Sequence, residues 1–289
     1  MTPAYRFGVS EFTTWPWSFE HDVASYAAHG IDAIEITEFK LEADHYGRQL
    51  ALIAPHGLEI SSAQTSIHAL FPDSLAGQPT DPLERLRQMR RSIQRIAPHV
   101  PPGTPFVVVT GAAPGGDTER VYSLAVDAFG ELATHAADLG MRLAFEPLNP
   151  VLFNTDTALW GLDAGLQLVE DVGNPALGLC LDTWNVWQTP DLARVIERCT
   201  GRIFVVQVSD WRRPRSGADR LGLGDGSLDN AAIVGHVRAT GYDGPYVLEI
   251  FSSESLPDSI WRSDLEALLA RNRAAFADVW RTSFGRPQP

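Results

Sequence analysis

The chain has 289 residues, 44% of them hydrophobic and 20% charged, with a formal net charge of −13. That length is ample for one large core and within the range of a single α/β barrel, while the negative field repels polyanions, so no nucleic-acid partner is expected. The first residues lack a hydrophobic signal core and no apolar run reaches the roughly 18 residues of a membrane span, so no membrane partner is expected and a cytoplasmic location is. The two cysteines, Cys180 and Cys199, follow no zinc or redox spacing and read as buried or incidental thiols.

In chain order, residues 7–10 suit a first strand, followed by a loop over 11–17 and a helix capped by Ser18 and closed by Gly30. A second strand over 33–37 carries Glu35 and Glu38 at its end, where alternation directs one inward and the other outward. A helix follows over 46–56, and then a third strand over 58–64 whose loop holds His68. A charged helix over 81–97 leads to a fourth strand over 105–110 and the turn Gly111-Ala-Ala-Pro-Gly-Gly. After a helix over 118–138, four short apolar runs supply strands five to eight. They are residues 142–149, 177–182, 203–210 and 246–251, with helices expected over 156–171, 190–199 and 230–240 between them. A last helix is expected over 260–280, and the tail 284–289 is expected to be frayed.

Runs this short and this apolar fit strands covered on both faces of a parallel sheet. Eight strand–helix units favour an α/β fold of the (β/α)8 TIM barrel type, a single domain over 1–289. An open doubly wound sheet usually carries a glycine-rich fingerprint after its first strand, and Glu11-Phe-Thr-Thr-Trp is not one. The Gly111 turn lacks a P-loop lysine.

The C-terminal strand ends of such a barrel share one cavity. Glu146, Asp182, Gln207 and Glu249 stand at four consecutive ends. Three carboxylates brought together repel one another unless a cation joins them. With a glutamine carbonyl they make an all-oxygen set, suited to Mg²⁺ or Mn²⁺ rather than zinc. Salt bridges to nearby arginines are the competing explanation for each residue taken alone. His68 suits proton donation or a substrate hydroxyl, or a plain surface position. Trp15, Trp17, Trp184 and Trp187 fall near mouth loops, where aromatic faces suit the C–H faces of sugars or the core. Lys40 is expected on the solvated surface.

The motifs Glu146-Pro-Leu-Asn, Leu181-Asp-Thr-Trp, Val206-Gln-Val-Ser-Asp, Arg220 with Gly222-Leu-Gly-Asp-Gly, and Leu248-Glu-Ile-Phe together resemble the xylose isomerase-like superfamily. This is the sugar phosphate isomerase and epimerase group, and the resemblance covers nearly the whole chain. Its members include ketose 3-epimerases, hydroxypyruvate isomerase, inosose and 3-dehydroshikimate dehydratases, and an abasic-site endonuclease. The resemblance implies metal ligation by Glu146, Asp182, Gln207 and Glu249, acid and base roles for Glu146 and Glu249, and substrate contact by Arg220. Asn185 falls where epimerases place a substrate-side histidine, and Gln207 where they place a metal-binding one; the glutamine is shared with hydroxypyruvate isomerases and 3-dehydroshikimate dehydratases.

The expected activity is thus a metal-dependent isomerase or epimerase acting on a small carbohydrate-like substrate through an enediolate. A dehydratase (lyase) is the alternative. His68, Asn185, Arg220, Trp15 and Trp184 are the expected substrate contacts. A binding protein without chemistry is a third reading. A homo-oligomer is among the expected partners, with Trp261 and Trp280 suited to an interface or to the core.

Overall fold

The computed structural model describes residues 5–284. Eight parallel strands close into a barrel in sequence order. They are β1 (Phe7–Ser10), β2 (Ala33–Thr37), β3 (Glu59–Ala69), β4 (Pro105–Val109), β5 (Arg142–Phe145), β6 (Leu177–Asp182), β7 (Ile203–Val208) and β8 (Tyr246–Leu248). Closure rests on β1, which pairs with β2 through Val9↔Ile34 and with β8 through Val9↔Leu248. Every residue of β1, β2, β4, β6 and β8 is buried, as strands covered on both faces require, and the polar ones among them, Ser10, Glu35, Thr37 and Asp182, are buried with the rest.

The surrounding helices are α1 (Phe19–Ala28), α2 (Tyr46–Leu50), α3 (Pro82–Ile96), α4 (Thr118–Asp138), α5 (Leu162–Val172), α6 (Thr183–Val186), α7 (Leu192–Arg198), α8 (Asn230–Ala239) and α9 (Leu265–Thr282). The longest, α4, buries Val121, Ala125, Ala128, Phe129, Leu132, Ala133 and Ala136, a helical stripe that faces the sheet. Phe129 meets Phe145 of β5 with ring centroids 5.7 Å apart. Inside the barrel a separate small cluster of Val107, Ala144, Cys180 and Val205 underlies the polar residues of the strand ends. Glycine is required at Gly178, where a Cβ would lie 2.5 Å from the Arg202 carbonyl oxygen and 2.6 Å from the Phe204 ring.

The elements depart from the sequence expectation at five places. β3 runs on to Ala69, because its pairing with β4 shifts register between Gln64 and Ala69, so His68 belongs to the strand and not to a loop. The helix expected over 46–56 ends at Leu50, with only a single turn at Ala54–His56, where Pro55 sits. The helix expected from 156 begins at Leu162. Before it, Thr157 Oγ1 donates to the Leu159 carbonyl and Thr110 Oγ1 accepts from Ala158 N–H, bonds that compete with a helix. The last helix is split: a turn at Ile260–Arg262 precedes α9, whose cap Asp264 accepts from Ala267 N–H at 3.0 Å. Strands five, seven and eight stop at Phe145, Val208 and Leu248, so Glu146 and Glu249 directly follow their strands.

Of the tail expected to fray, 285–289 lie outside the described residues; Phe284 packs edge-on against Trp280 at 5.8 Å. Trp280 also contacts Tyr5 and Tyr246 at the edge of the core. Among the described residues no helix is long and apolar enough to cross a membrane.

Candidate active site

Glu146, Asp182 and Glu249 each offer an oxygen, all within 4.8 Å of one another, and all three are buried. Their positions follow from local backbone chemistry. Asp182 ends β6 and caps α6, its Oδ1 accepting from Trp184 N–H at 2.9 Å. Asn185, on the same short helix, donates Nδ2–H to Glu146 Oε1 at 2.6 Å and to Asp182 Oδ2 at 3.0 Å. Its own Oδ1 accepts from Asn149 N–H, so Asn149 and Asn185 lock the end of β5 to the end of β6. Asn185 thus lies between the carboxylates and the backbone, orienting them.

A fourth carboxylate, Glu35 of β2, is 1% exposed. It accepts from Ser62 Oγ at 2.6 Å, from Gln64 Nε2 at 3.0 Å and from Gln207 Nε2 at 2.9 Å. The two glutamine amides also donate to Glu249 Oε1, at 2.8 and 2.9 Å. Gln207 therefore turns its nitrogen to the carboxylates, and its Oε1 accepts from Cys180 Sγ at 3.0 Å. A carbonyl ligand from Gln207 requires the amide to be reversed.

Against four carboxyl groups stands one guanidinium. Arg220 Nη1 donates to Asp182 Oδ2 at 2.6 Å and to Glu249 Oε2 at 2.7 Å. Arg220 lies over the ring of Trp184 at 4.9 Å and that of Phe251 at 5.0 Å. The acids are not fully compensated. Burial, then the charge of Asp182, pushes Glu146 up to about 8 despite Arg220. Burial also raises Asp182 and holds Glu249 well above the usual carboxylate range, with Arg220 opposing in both. Burial lowers Arg220, but Asp182, Glu249 and Glu146 outweigh it and the net shift is upward. A site that drives its own carboxylates toward protonation lacks positive charge, and its donors are hard oxygens; a divalent cation fits both features.

A cavity of about 500 Å³ opens over these groups, lined by Gln64, His68, Asp73, Glu146, Arg220 and Glu249 at its polar end. Leu148, Val151, Leu152, Phe251 and Trp261 make apolar walls. Ser216, Gly217 and Ala218 reach it from the loop after β7. That loop is pinned by Arg212 and Arg215, which bridge Asp219, at 2.6 and 3.1 Å, to Asp258 of the loop after β8, at 3.5 and 2.7 Å. Trp15 and Trp184 do not line the cavity. Trp184 is fully buried beneath Arg220. Trp15 stacks on Phe12 at 5.5 Å and Trp261 at 6.1 Å, and Trp261 takes the wall. A second hollow, on the outer face of α3 beside Arg91 and Arg95, is lined by none of these carboxylates.

Lys40 is not on the solvated surface. Its side chain is 6% exposed, and Nζ pairs with Asp22 at 2.5 Å and donates to the Thr14 carbonyl at 2.9 Å. Beside it Glu11, fully buried, accepts from Thr37 N–H at 2.7 Å, while its Oε1 has no partner. Burial, then Asp22, raises Glu11 well above the usual range. Of the pair on β2, Glu35 turns into the barrel, whereas Glu38 is held outside it by Arg95 at 2.6 Å and by Tyr46. Glu35 is the inward member of the pair that alternation divided, whereas Gln64 and Asp73 join the site without having been singled out in sequence. For Gln64 the signal was available, since the sequence reading ended its third strand there, as at the other positions.

A family model described as a xylose isomerase-like TIM barrel matches residues 23–271. A 3-dehydroshikimate dehydratase of Pseudomonas aeruginosa is 30% identical over 240 residues, 78% of this chain and 35% of that one. A ketose 3-epimerase of Arthrobacter globiformis is 30% identical over 152 residues, 52% of this chain and 47% of that one. The matches thus span half or less of these curated relatives. A solved Sinorhizobium meliloti 1021 protein superposes with a TM-score of 0.83 at 23% identity, covering 96% of this chain and 98% of its own, a likeness of fold.

Proposed function

Because the chain belongs to the xylose isomerase-like TIM barrel family, we propose that it is a divalent-metal-dependent isomerase or epimerase of a small keto-sugar or polyol, working through an enediolate. The observation that carries this reading is the buried Glu146, Asp182 and Glu249 cluster, three carboxylates within 4.8 Å under a cavity. These three would hold the ion, joined by Gln207 if its amide reverses. Such an ion stabilises negative charge growing on a substrate oxygen and so acidifies the neighbouring C–H.

The chain's own groups do the rest. Glu249 and Glu146 flank the site as the base and acid for the carbon-bound proton. Gln64 and Gln207 hold Glu249 Oε1, and Asn185 holds Glu146, which keeps both carboxylates aimed. Arg220, anchored on Asp182 and Glu249, offers its remaining N–H groups to substrate oxygens from the cavity wall. The apolar walls limit water access around the enediolate. The natural partner of this site is thus a small carbohydrate-like molecule.

The test is proton exchange. Protein stripped of metal and reloaded with Mn²⁺ or Mg²⁺ is incubated in D₂O with ketoses, hydroxypyruvate, inososes and 3-dehydroshikimate and followed by NMR. Deuterium enters beside a carbonyl, and Glu249→Gln lowers the rate about 10²- to 10⁴-fold, the usual worth of a positioned acid or base. Exchange that survives complete metal removal overturns the reading.

A dehydratase is the second reading. It is favoured by one observation: the cavity that Glu146 and Glu249 line also carries a second titratable pair, His68 and Asp73. Product with a new conjugated carbonyl chromophore would distinguish it.

A further inference from the structure

Of the large apolar side chains exposed among the described residues, four, Leu75, Val151, Phe153 and Trp160, fall on the loops after β3 and β5 at the mouth of the barrel. Leu75 and Val151, 42% and 48% exposed, line the same cavity as Glu146 and Glu249. An apolar rim left open to water marks a binding surface. Here it runs without a break into the candidate reacting groups, so its occupant is part of the molecule that reacts.

The rim is held in place. Leu75 belongs to a segment gripped from inside by Arg85, which is 0% exposed and donates to the carbonyls of Ala69 at 2.7 Å, Ala76 at 2.7 Å and Pro79 at 3.1 Å. Asp156 Oδ1 accepts from Ser74 N–H at 2.8 Å and ties this segment to the loop after β5. Val151 N–H donates to Asn149 Oδ1 at 3.0 Å, and Asn149 is locked through Asn185 to Glu146. The apolar wall and the carboxylate therefore keep a fixed spacing. The loop after β8 supplies the other wall. Phe251 stacks on Phe12 at 4.5 Å, and Trp261 Nε1 donates to the Phe12 carbonyl at 2.9 Å. β5 and β8 are three places apart in the ring of eight strands, so the two walls stand across the cavity from one another.

The charges of the cavity exclude an anion. Among the described residues that line it, the basic side chains are Arg220 and His68, against Asp73, Glu146, Asp156 and Glu249. Arg220 is anchored on Asp182 and Glu249, and His68 stands 3.2 Å from Asp73. A divalent ion and Arg220 together only balance the three carboxylates around them, and Asp73 and Asp156 add negative charge along the wall. The arginines of the loop after β7, Arg212 and Arg215, are spent on Asp219 and Asp258. A phosphate or carboxylate on the substrate would meet like charge.

We propose that the substrate is an uncharged ring-keto glycoside with an apolar, aryl-sized aglycone. The keto-sugar ring lies over Glu146 and Glu249, and the aglycone sits between Val151 and Leu152 on one side and Phe251 and Trp261 on the other. The inference rests on the enolising reading above. The cavity of about 500 Å³ exceeds a free six-carbon sugar, which displaces as much volume as a handful of waters, roughly 180 Å³. The remaining space has flat aromatic faces on one wall, the surface an aromatic ring stacks on. A glycosidic bond locks the anomeric carbon, so the carbonyl of such a substrate stands at another ring carbon.

The experiment titrates metal-loaded protein by calorimetry with ring-keto glucoses covering each ring position of the carbonyl, each as free sugar, methyl glycoside, phenyl glycoside and phosphate ester of the methyl glycoside. Deuterium exchange in D₂O is read on the same compounds. For at least one carbonyl position the phenyl glycoside is expected to bind about 10- to 100-fold tighter than the methyl glycoside and to exchange deuterium beside the carbonyl, while the phosphate ester binds about 10-fold more weakly. Val151→Asp and Leu75→Asp, at exposed positions, lower affinity for the phenyl glycoside more than for the methyl one. Equal binding of phenyl and methyl glycosides, or tighter binding of the phosphate ester, overturns the proposal. Exchange confined to free ketoses overturns it while leaving the enolising reading intact. A phenyl preference without exchange on any compound overturns the enolising reading and the substrate assignment with it. A dimer in light scattering that Val151→Asp dissolves means that a second copy covers the rim, and overturns the proposal as well.

Discussion

Replacing Lys40 by methionine tests whether the buried charges behind β1 and β2 act as one unit. Lys40 Nζ lies 2.5 Å from Asp22, the two side chains are 6% and 0% exposed, and Glu11 is fully buried beside them. At that separation the attraction is about 7 kcal/mol with an effective dielectric constant near 20. Methionine fills the same tunnel without a desolvation cost of its own, so the net loss is the cost of an orphaned buried carboxylate, about 3–5 kcal/mol. That corresponds to a fall in Tm on the order of 10 °C for a barrel of this size. The loss depends on pH in a defined direction. Burial raises both Glu11 and Asp22, so their folded pKa values exceed the unfolded ones near 4. Stability is then full below about pH 4 and falls as pH rises toward the folded values. Without Lys40 those values rise further, so the variant loses more at pH 8 than at pH 5. Urea unfolding at the two pH values reads the effect. A loss under about 1 kcal/mol, or an equal loss at both pH values, would refute a buried and coupled triad.

Three further outcomes follow from the geometry. Glu11→Gln keeps an acceptor for Thr37 N–H and removes a carboxyl whose pKa burial raises, so the stability of the variant relative to wild type grows between pH 5 and pH 8; a difference that shrinks over this range contradicts the assignment. Arg220→Met removes the guanidinium that bridges Asp182 and Glu249, so Mn²⁺ binds about 10- to 100-fold tighter by calorimetry, and weaker binding would count against a shared cation site. Gly178→Ala sets a Cβ 2.5 Å from the Arg202 carbonyl and costs about 1–3 kcal/mol in urea unfolding, whereas an unchanged midpoint would mean that β6 and β7 yield there.

The barrel was legible because its strands are short apolar runs punctuated by helix-length segments, and the strand-end positions of Glu146, Asp182, Gln207 and Glu249 followed from the ends of those runs. What was not legible depends on contacts between distant segments. Residues 65–69 read as a loop after a completed strand, and only the register shift against β4 extends β3 through His68. Lys40 has the local pattern of a surface residue; the buried partner that claims it, Asp22, lies on α1. Asp73 sits in Phe71-Pro-Asp-Ser, a turn signal, and gains its meaning from a strand residue before it and a helix arginine after it. Gln207 was placed correctly at its strand end, yet which end of its amide faces Glu249 is decided by Glu35 and Cys180, on two other strands.

The Arg85 clamp bears on how this region tolerates change. Stretches without helix or strand are ordinarily where chains accept inserted residues and yield to proteases. Residues 70–79 have no regular structure beyond Ala69, yet the guanidinium grips carbonyls at 69, 76 and 79 from inside. An added residue there would break a fixed set of hydrogen-bond spacings and leave a buried cation without its acceptors, at a cost expected of the core and not of a loop. The segment is irregular in shape and as constrained in length as a strand.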